Sequence, residues 1–441
     1  MTTHSENARQ WVHVGSGAFA LLLRVLTWWQ AAAMAGAALV FNLLILPRIG
    51  GRRLYRPVDD ARGFPLGILI YPIAVLALIL VFSPRLDIAA AAWGILAFGD
   101  GAATLIGTRV GGRRLPWNAE KTIAGTIGFV VCATAGGIAL AWWTRPDGSR
   151  WFTILAPLAA AIAAALVESI PVRLDDNISV PVTAGCVLWI ASLMTADACR
   201  ASRPAIAAAL PWAAGLNVVV AWAGYRARTV SRSGAIGGVA VGAVIYLGGG
   251  PGAWALLLLT FILASVTSRL GLQRKTRLGI AEEHGGRRGA ANAIANCGVA
   301  AAAAVAAVTT PFPGAALLAL VAALTAGGSD TVASEIGKSW GRATFLITTF
   351  RRVKPGTPGA VSLEGTAAGL LAAVAMAAVA ASLGLIRGGV IPVIVMAATL
   401  GAVVESVLGA TLEGPGILNN DMLNFINTAV AAAAAVALVV A

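Results

Sequence analysis

Runs of roughly 17–25 apolar residues, the length a helix needs to cross a bilayer, recur along this chain. Gln30–Leu46, Ile123–Trp143 and Phe152–Val167 are three of them. Composition agrees. Hydrophobic residues make up 58% and charged residues 12%, with a mean hydropathy of +0.83; soluble domains are about 25% charged. The sequence therefore predicts an all-α, polytopic membrane protein of about 15 spans. The first span, near position 20, is short and suits the interface. Others centre near 38, 74, 97, 242 and 260. The polar N-terminal stretch MTTHSENARQ lacks a basic segment and a small-residue cleavage site, so no cleaved signal peptide is expected. Dense Ala and Gly favour close helix packing in lipid.

The net charge is +13. The basic residues fall in short loops, so they read as topology signals and anion ligands, and no nucleic-acid partner is expected. With the N-terminus in the cytoplasm, one set of loops holds Arg48, Arg52, Arg53, Arg56 and Arg62, then Arg109, Arg113, Arg114 and Lys121. It continues with Arg226, Arg228 and Arg232, then Arg269, Arg274, Lys275, Arg277, Arg287 and Arg288, then Arg342, Arg351, Arg352 and Lys354. The opposite loops hold Arg85, Arg145, Arg150, Arg200, Arg203 and Arg387. The positive-inside rule puts the richer set in the cytoplasm, in a bacterial inner membrane. Cys132, Cys186, Cys199 and Cys297 show neither metal spacing nor a disulfide framework.

Internal similarity is more informative than composition. FGDGAATLIGTRVG (98–111) aligns with GSDTVASEIGKSWG (328–341), setting Asp100 on Asp330, Gly107 on Gly337 and Gly111 on Gly341. Gly125-Thr126 then falls on Gly365-Thr366, and Glu168 on Glu405. Asp175-Asp176-Asn177 parallels Asn419-Asn420-Asp421, and Arg62-Gly63 can be set on Arg288-Gly289. With both copies the same way up, this is a tandem parallel repeat. The expected domains are 1–205 and 231–441, joined by a connecting span and loop at 206–230.

Each half offers a carboxylate at a helix end, a glycine-containing turn, a basic loop, a second carboxylate and an Asp/Asn cluster. Hard oxygen ligands of this kind suit Mg²⁺, which bridges phosphate oxygens. Asp100, Asp176, Asn177, Asp330, Glu335, Asn420 and Asp421 are the metal candidates, with Glu168 and Glu405 as further catalytic acids. Basic side chains and backbone N–H groups at helix starts suit nucleotide phosphates. The candidates are Gly107, Arg109, Gly111, Lys121, Thr122, Gly125 and Thr126 in the first half. In the second they are Arg288, Gly337, Lys338, Lys354, Gly356, Thr357, Gly365 and Thr366. Gly107 and Gly111 also form a GxxxG pair, which packs helices without touching any ligand.

The first half resembles the polyprenol, phytol and dolichol kinase family. The similarity lies in ARQWVHVGSG (8–17), FGDGAATLIGTRVGGRRLPWNAEKTIAGTIGF (98–129) and LVESIPVRLDDNISVPV (166–182). Gln10 departs from the Arg-Lys pair usual before that family's histidine, here His13. The second half resembles the membrane family that includes plant phytyl-phosphate kinase. It matches at SRSGAIGG (231–238), RRGAANAIANCGVAA (287–301), GGSDTVASEIGK (327–338), LITTFRRVKPGTPGAVSLEGT (346–366) and LEGPGILNNDMLNFINT (412–428). Val361 stands where the first half has Lys121.

Together the resemblances imply a bifunctional kinase. The first half would phosphorylate a prenyl alcohol of the phytol, geranylgeraniol or farnesol class, with His13 as base. The second half would phosphorylate the prenyl monophosphate, and CTP is the implied donor. Two other readings stand beside it: a CTP-dependent cytidylyltransferase acting on a lipid phosphate, and a transporter or flippase of phosphorylated lipid.

The charge asymmetry makes a prediction of its own. In a cysteine-free background, single cysteines near 115, 280 and 345 should react with an impermeant maleimide only from the cytoplasmic face. One near 147 should react only from the other face. Labelling of 115 and 345 from opposite faces would replace the parallel repeat with an inverted one.

Overall fold

The spans are helical because their apolar residues fill bilayer lengths and their polar residues gather at the ends. The computed structural model describes residues 6–48, 66–116, 118–169, 175–280 and 287–440. The loop arginines Arg52, Arg53, Arg56 and Arg62, with Gly63, lie outside the described residues. The chain divides into two compact units, 1–192 and 193–441.

The first unit opens with α1 (Glu6–Ser16), a short 3₁₀ segment (Gly17–Arg24) and α2 (Trp28–Val40). After α3 (Leu66–Val81) comes a long helical segment, α4 (Leu86–Val110). A two-stranded hairpin of β1 (Arg114–Leu115) and β2 (Asn118–Thr122) leads into α5 (Ile123–Thr144), α6 (Trp151–Ser169) and α7 (Asp176–Leu193). The core is built of small residues: Ala89, Ala90, Ala91, Ala92 and Ala97 of α4 are fully buried, with Phe129 and Ala133 of α5.

The second unit begins with α8 (Ala196–Arg226) and α9 (Arg232–Arg269), then a short α10 (Leu272–Arg277). Next come α11 (Ala290–Thr309) and α12 (Pro313–Trp340). A small antiparallel sheet follows, with β3 (Thr344–Leu346) between β4 (Arg352–Val353) and β5 (Ala360–Ser362). The unit closes with α13 (Leu363–Ser382), α14 (Gly388–Glu413) and α15 (Asn420–Val440). Helix α12 is its centre, with Leu320, Val321, Ala322, Ala323 and Leu324 fully buried.

Among the described residues, twelve helices are long and apolar enough to cross a membrane. The difference from fifteen expected spans has three causes. The segment near 20 is a 3₁₀ helix of eight residues, only about 16 Å long at 2 Å per residue. Helix α3 is apolar but shorter than the others. The spans expected near 242 and 260 are continuous in α9, which breaks at Gly250, where φ is 77° ahead of Pro251. The break folds α9 back on itself: Tyr246 and Trp254 stack edge to face at 6.4 Å, and Val241 and Leu257 face one pocket. Its two arms correspond to the two runs expected near 242 and 260.

Both units use one device where the hairpin or sheet meets the next helix. In the first, Thr122 caps α5 by accepting a hydrogen bond from Gly125 N at 3.1 Å. In the second, Ser362 caps α13 by accepting from Gly365 N at 3.1 Å. Just beyond each cap, two helices come so close that a side chain would not fit. A Cβ on Gly125 would sit 2.8 Å from the Ala103 carbonyl oxygen, and one on Gly365 would sit 2.5 Å from that of Ala333. Gly107 and Gly337 are the facing glycines. Thus Gly107, Gly125, Gly337 and Gly365 all serve helix approach, and Gly111 ends α4 at φ 63°.

Gly365→Ala should therefore lower stability by roughly 1–3 kcal/mol, the usual range for overpacking. Gly215→Ala, on an open face of α8, should raise it by up to about 1 kcal/mol through helix propensity. Thermal inactivation of the purified protein in detergent compares the two.

Candidate active site

In the first unit, three carboxylates converge from three elements. Asp100 closes a wide π-helical turn, Ile95–Asp100, inside α4; such turns re-aim side chains and occur often at functional sites. Glu168 lies in the last turn of α6, and Asp176 is the first residue of α7. One oxygen from each lies within 4.8 Å of the others. Lys121, projected by β2, donates to Glu168 Oε1 at 2.5 Å and to Asp176 Oδ2 at 3.1 Å. Burial would pull the Lys121 ammonium down, but Asp176, Glu168 and Asp100 outweigh it and hold its pKa above the ordinary lysine value. It therefore stays cationic among the acids. Asn177 donates to Asp175 Oδ1, while its own Oδ1 is buried without a hydrogen-bond partner.

His13 of α1 reaches this cluster from the other side. Its Nε2 lies 3.6 Å from Asp100 Oδ2 and 3.4 Å from the Leu96 carbonyl oxygen. Tyr71 packs edge to face on its ring at 4.5 Å, and the Tyr71 hydroxyl accepts from Ser16 Oγ and Trp93 Nε1. His13, Ser16 and Tyr71 form the polar corner of an apolar pocket of about 1370 Å³. Its walls include Phe19, Leu23, Met34, Phe41 and Val75. Arg109 is exposed on α4, and Thr126 donates to the Thr122 carbonyl.

The second unit holds a cleft of about 2090 Å³. Asp330 of α12 and Glu405 of α14 lie against each other in it. Arg288, Glu335, Gly337, Lys338, Gly356, Thr357, Gly365, Thr366 and Asn420 also line it. Gly356 (φ 83°) and Gly359 (φ 69°) let the loop after β4 curl over this cleft. Lys354 is exposed and, like Asp421, is not among the lining residues. Glu405 Oε2 and Asn296 Oδ1 are buried acceptors without a hydrogen-bond partner, as an oxygen-ligated cation or a donor-rich ligand would require.

Two features are absent from the sequence reading. Lys275 is 1% exposed and donates to Glu335 Oε2 at 2.5 Å and to the Thr267 and Ser268 carbonyls. Glu335, expected as a metal ligand, thus has a buried counter-ion, and Lys338 approaches its other oxygen at 3.4 Å. Asn292 and Asn296 line the cleft from α11. Both lie in RRGAANAIANCG, where the signal was a pair of amides one helical turn apart.

Residues 215–432 match the integral membrane protein family DUF92. An uncharacterized membrane protein of Synechocystis is 41% identical over 199 residues, covering 44% of this chain and 77% of its own length. The chain belongs to the DUF92 family of integral membrane proteins. The cleft of the second unit lies wholly within the DUF92 match. Protein VTE6, chloroplastic, of Arabidopsis thaliana is 37% identical over 208 residues, 45% of this chain and 62% of its own. Probable phytol kinase 3, chloroplastic, of Glycine max is 30% identical over 190 residues, 40% of this chain and 60% of its own. The chain therefore spans about three-fifths of those two relatives. No solved structure shows a significant match.

The buried ion pair of the DUF92 region generates a stability prediction. Lys275→Met strands the Glu335 carboxylate and should cost about 3–5 kcal/mol. Adding Glu335→Gln should recover much of that loss. Denaturation of the single and double variants in detergent reads the coupling, and equal loss in both would contradict it.

Proposed function

We propose that this protein is a membrane phosphotransferase with two sites in series. The first unit makes a prenyl monophosphate from a prenyl alcohol, and the second makes the diphosphate. CTP is the donor at both, and the active-site loops face the cytoplasm. The observation that carries the reading is the first unit's apolar pocket, which ends at His13 beside the carboxylates. An alcohol with a long hydrocarbon tail would fill the pocket and bring its hydroxyl to His13. The similarity to a probable phytol kinase supports the same class of substrate.

In the first step the alcohol oxygen bonds to the γ-phosphorus of CTP. The bond from that phosphorus to the β-phosphate's bridging oxygen breaks, CDP leaves, and the alcohol proton passes to His13. General-base help of this kind is typically worth roughly 10²–10⁴-fold. Asp100, Glu168 and Asp176 offer the hard oxygen donors that Mg²⁺ favours, and Asp330 with Glu405 would do so in the second unit. Mg²⁺ bound there would neutralise charge on the transferring phosphoryl oxygens. Lys121 holds Glu168 and Asp176 together between turnovers.

In the second step the attacking phosphate oxygen is already anionic, so neutralising charge matters more than removing a proton. Arg288 and Lys338 line the cleft and would serve that task, and the second unit has Val361 where the first has Lys121.

The two steps separate by mutation. His13→Ala should slow phosphorylation of the alcohol by roughly 10²–10⁴-fold and leave phosphorylation of added monophosphate unchanged. Asp330→Asn should let monophosphate accumulate, while Asp100→Asn should stop its formation. Purified variants fed alcohol and monophosphate separately provide the readout. An Asp100 or Asp330 variant that keeps both activities would contradict two sites.

A further inference from the structure

The second unit holds another pocket, open along part of its length, between α8, the two arms of α9 and α11. Val220, Val241, Leu257, Phe261 and Ala264 make it apolar. It adjoins the polar cleft: Arg288, Asn292, Asn296 and Thr331 line both. At that junction Arg288 donates to Asn292 Oδ1 at 3.0 Å and to Ser268 Oγ at 3.2 Å, which fixes its guanidinium. A planar guanidinium at the border of an apolar slot and a polar cleft suits an amphiphile with a phosphate head.

The far end carries a hydrogen-bonded pair. Trp254 Nε1 donates to Asn217 Oδ1 at 3.0 Å, and Asn217 Nδ2 to the Ala213 carbonyl. Along α8, Asn217 lies seven residues from Gly224 at the Arg288 end, about 10 Å at 1.5 Å per residue. We propose that this slot holds the hydrocarbon tail of the second unit's substrate, with the phosphate head at Arg288 and the Asn217–Trp254 pair limiting tail length. This assignment rests on reading the second unit as a prenyl-monophosphate kinase.

Gly238 lines the slot, and a Cβ built on it meets nothing within 4 Å. Gly238→Phe can therefore fill the slot while leaving the helix intact. It should lower kcat/KM for farnesyl and geranylgeranyl monophosphate by about tenfold or more, through lost apolar burial. It should leave dimethylallyl monophosphate, which has almost no tail, within about twofold. Trp254→Ala should shift preference toward longer chains. A farnesyl monophosphate carrying a diazirine at its tail end should crosslink the peptide around Val241 or Leu257 in the wild type and not in Gly238→Phe. Crosslinking elsewhere, or an equal effect of Gly238→Phe on all three substrates, would overturn the tail assignment. Specific crosslinking without monophosphate turnover would leave the slot standing and overturn the kinase reading.

Discussion

A carboxylate carried into a bilayer-spanning helix needs a counter-charge or a polar ligand within reach, and the polar sites of this protein are arranged around that need. At the centre of a span an ionised side chain costs roughly 3 kcal/mol or more. In the first unit, Glu168 and Asp176 share the ammonium of Lys121, delivered by a short hairpin, and Asp100 lies beside them. In the second unit, Glu335 has the buried Lys275, while Asp330 and Glu405 face a large cleft with Arg288 and Lys338 on its walls. Lys121, Glu168 and Asp176 lie at the ends of their elements, while Asp100, Asp330 and Glu405 lie inside α4, α12 and α14.

The two units repeat a local construction and differ where their proposed chemistry differs. Thr122 and Ser362 cap the helix after the strand, and facing glycines bring that helix against the one bearing Asp100 or Asp330. That close approach fixes the carboxylate helix relative to its neighbour. Beyond this frame, the first unit places an imidazole at the corner of its apolar pocket, and the second places a guanidinium at the mouth of its slot. An imidazole suits an alcohol, and a fixed cation suits an acceptor that is already phosphorylated.

Much of this was legible in the sequence because bilayer length is a strong constraint. The helices carrying Asp100, Glu168, Asp330 and Glu405 stand out as apolar runs with an acid near one end. The fold-back in α9 was readable as two spans, since Gly248-Gly249-Gly250-Pro251 interrupts an apolar stretch twice too long for one. Other features were hidden for physical reasons. The segment at Gly17–Arg24 has span-like composition but tightens into a 3₁₀ turn. Lys275 and Glu335 are 60 residues apart, so only folding pairs them, and Lys275 looks like any loop cation. Gly107 reads as phosphate cradle or helix contact, and Thr122 and Gly125 beside it settle it as helix contact. Cavities leave no local signature at all, because they arise from what packing omits.

The central claim is transfer of a terminal phosphoryl group to lipid acceptors, one after the other. Purified protein incubated with a prenyl alcohol and CTP labelled at either the γ- or the α-phosphorus tests it most directly. The γ-label should appear first in a lipid monophosphate and then in a diphosphate, with unlabelled CDP released, and the α-label should never enter lipid. An α-labelled CDP-lipid would instead identify a cytidylyltransferase, and lipid free of either label would contradict phosphoryl transfer altogether.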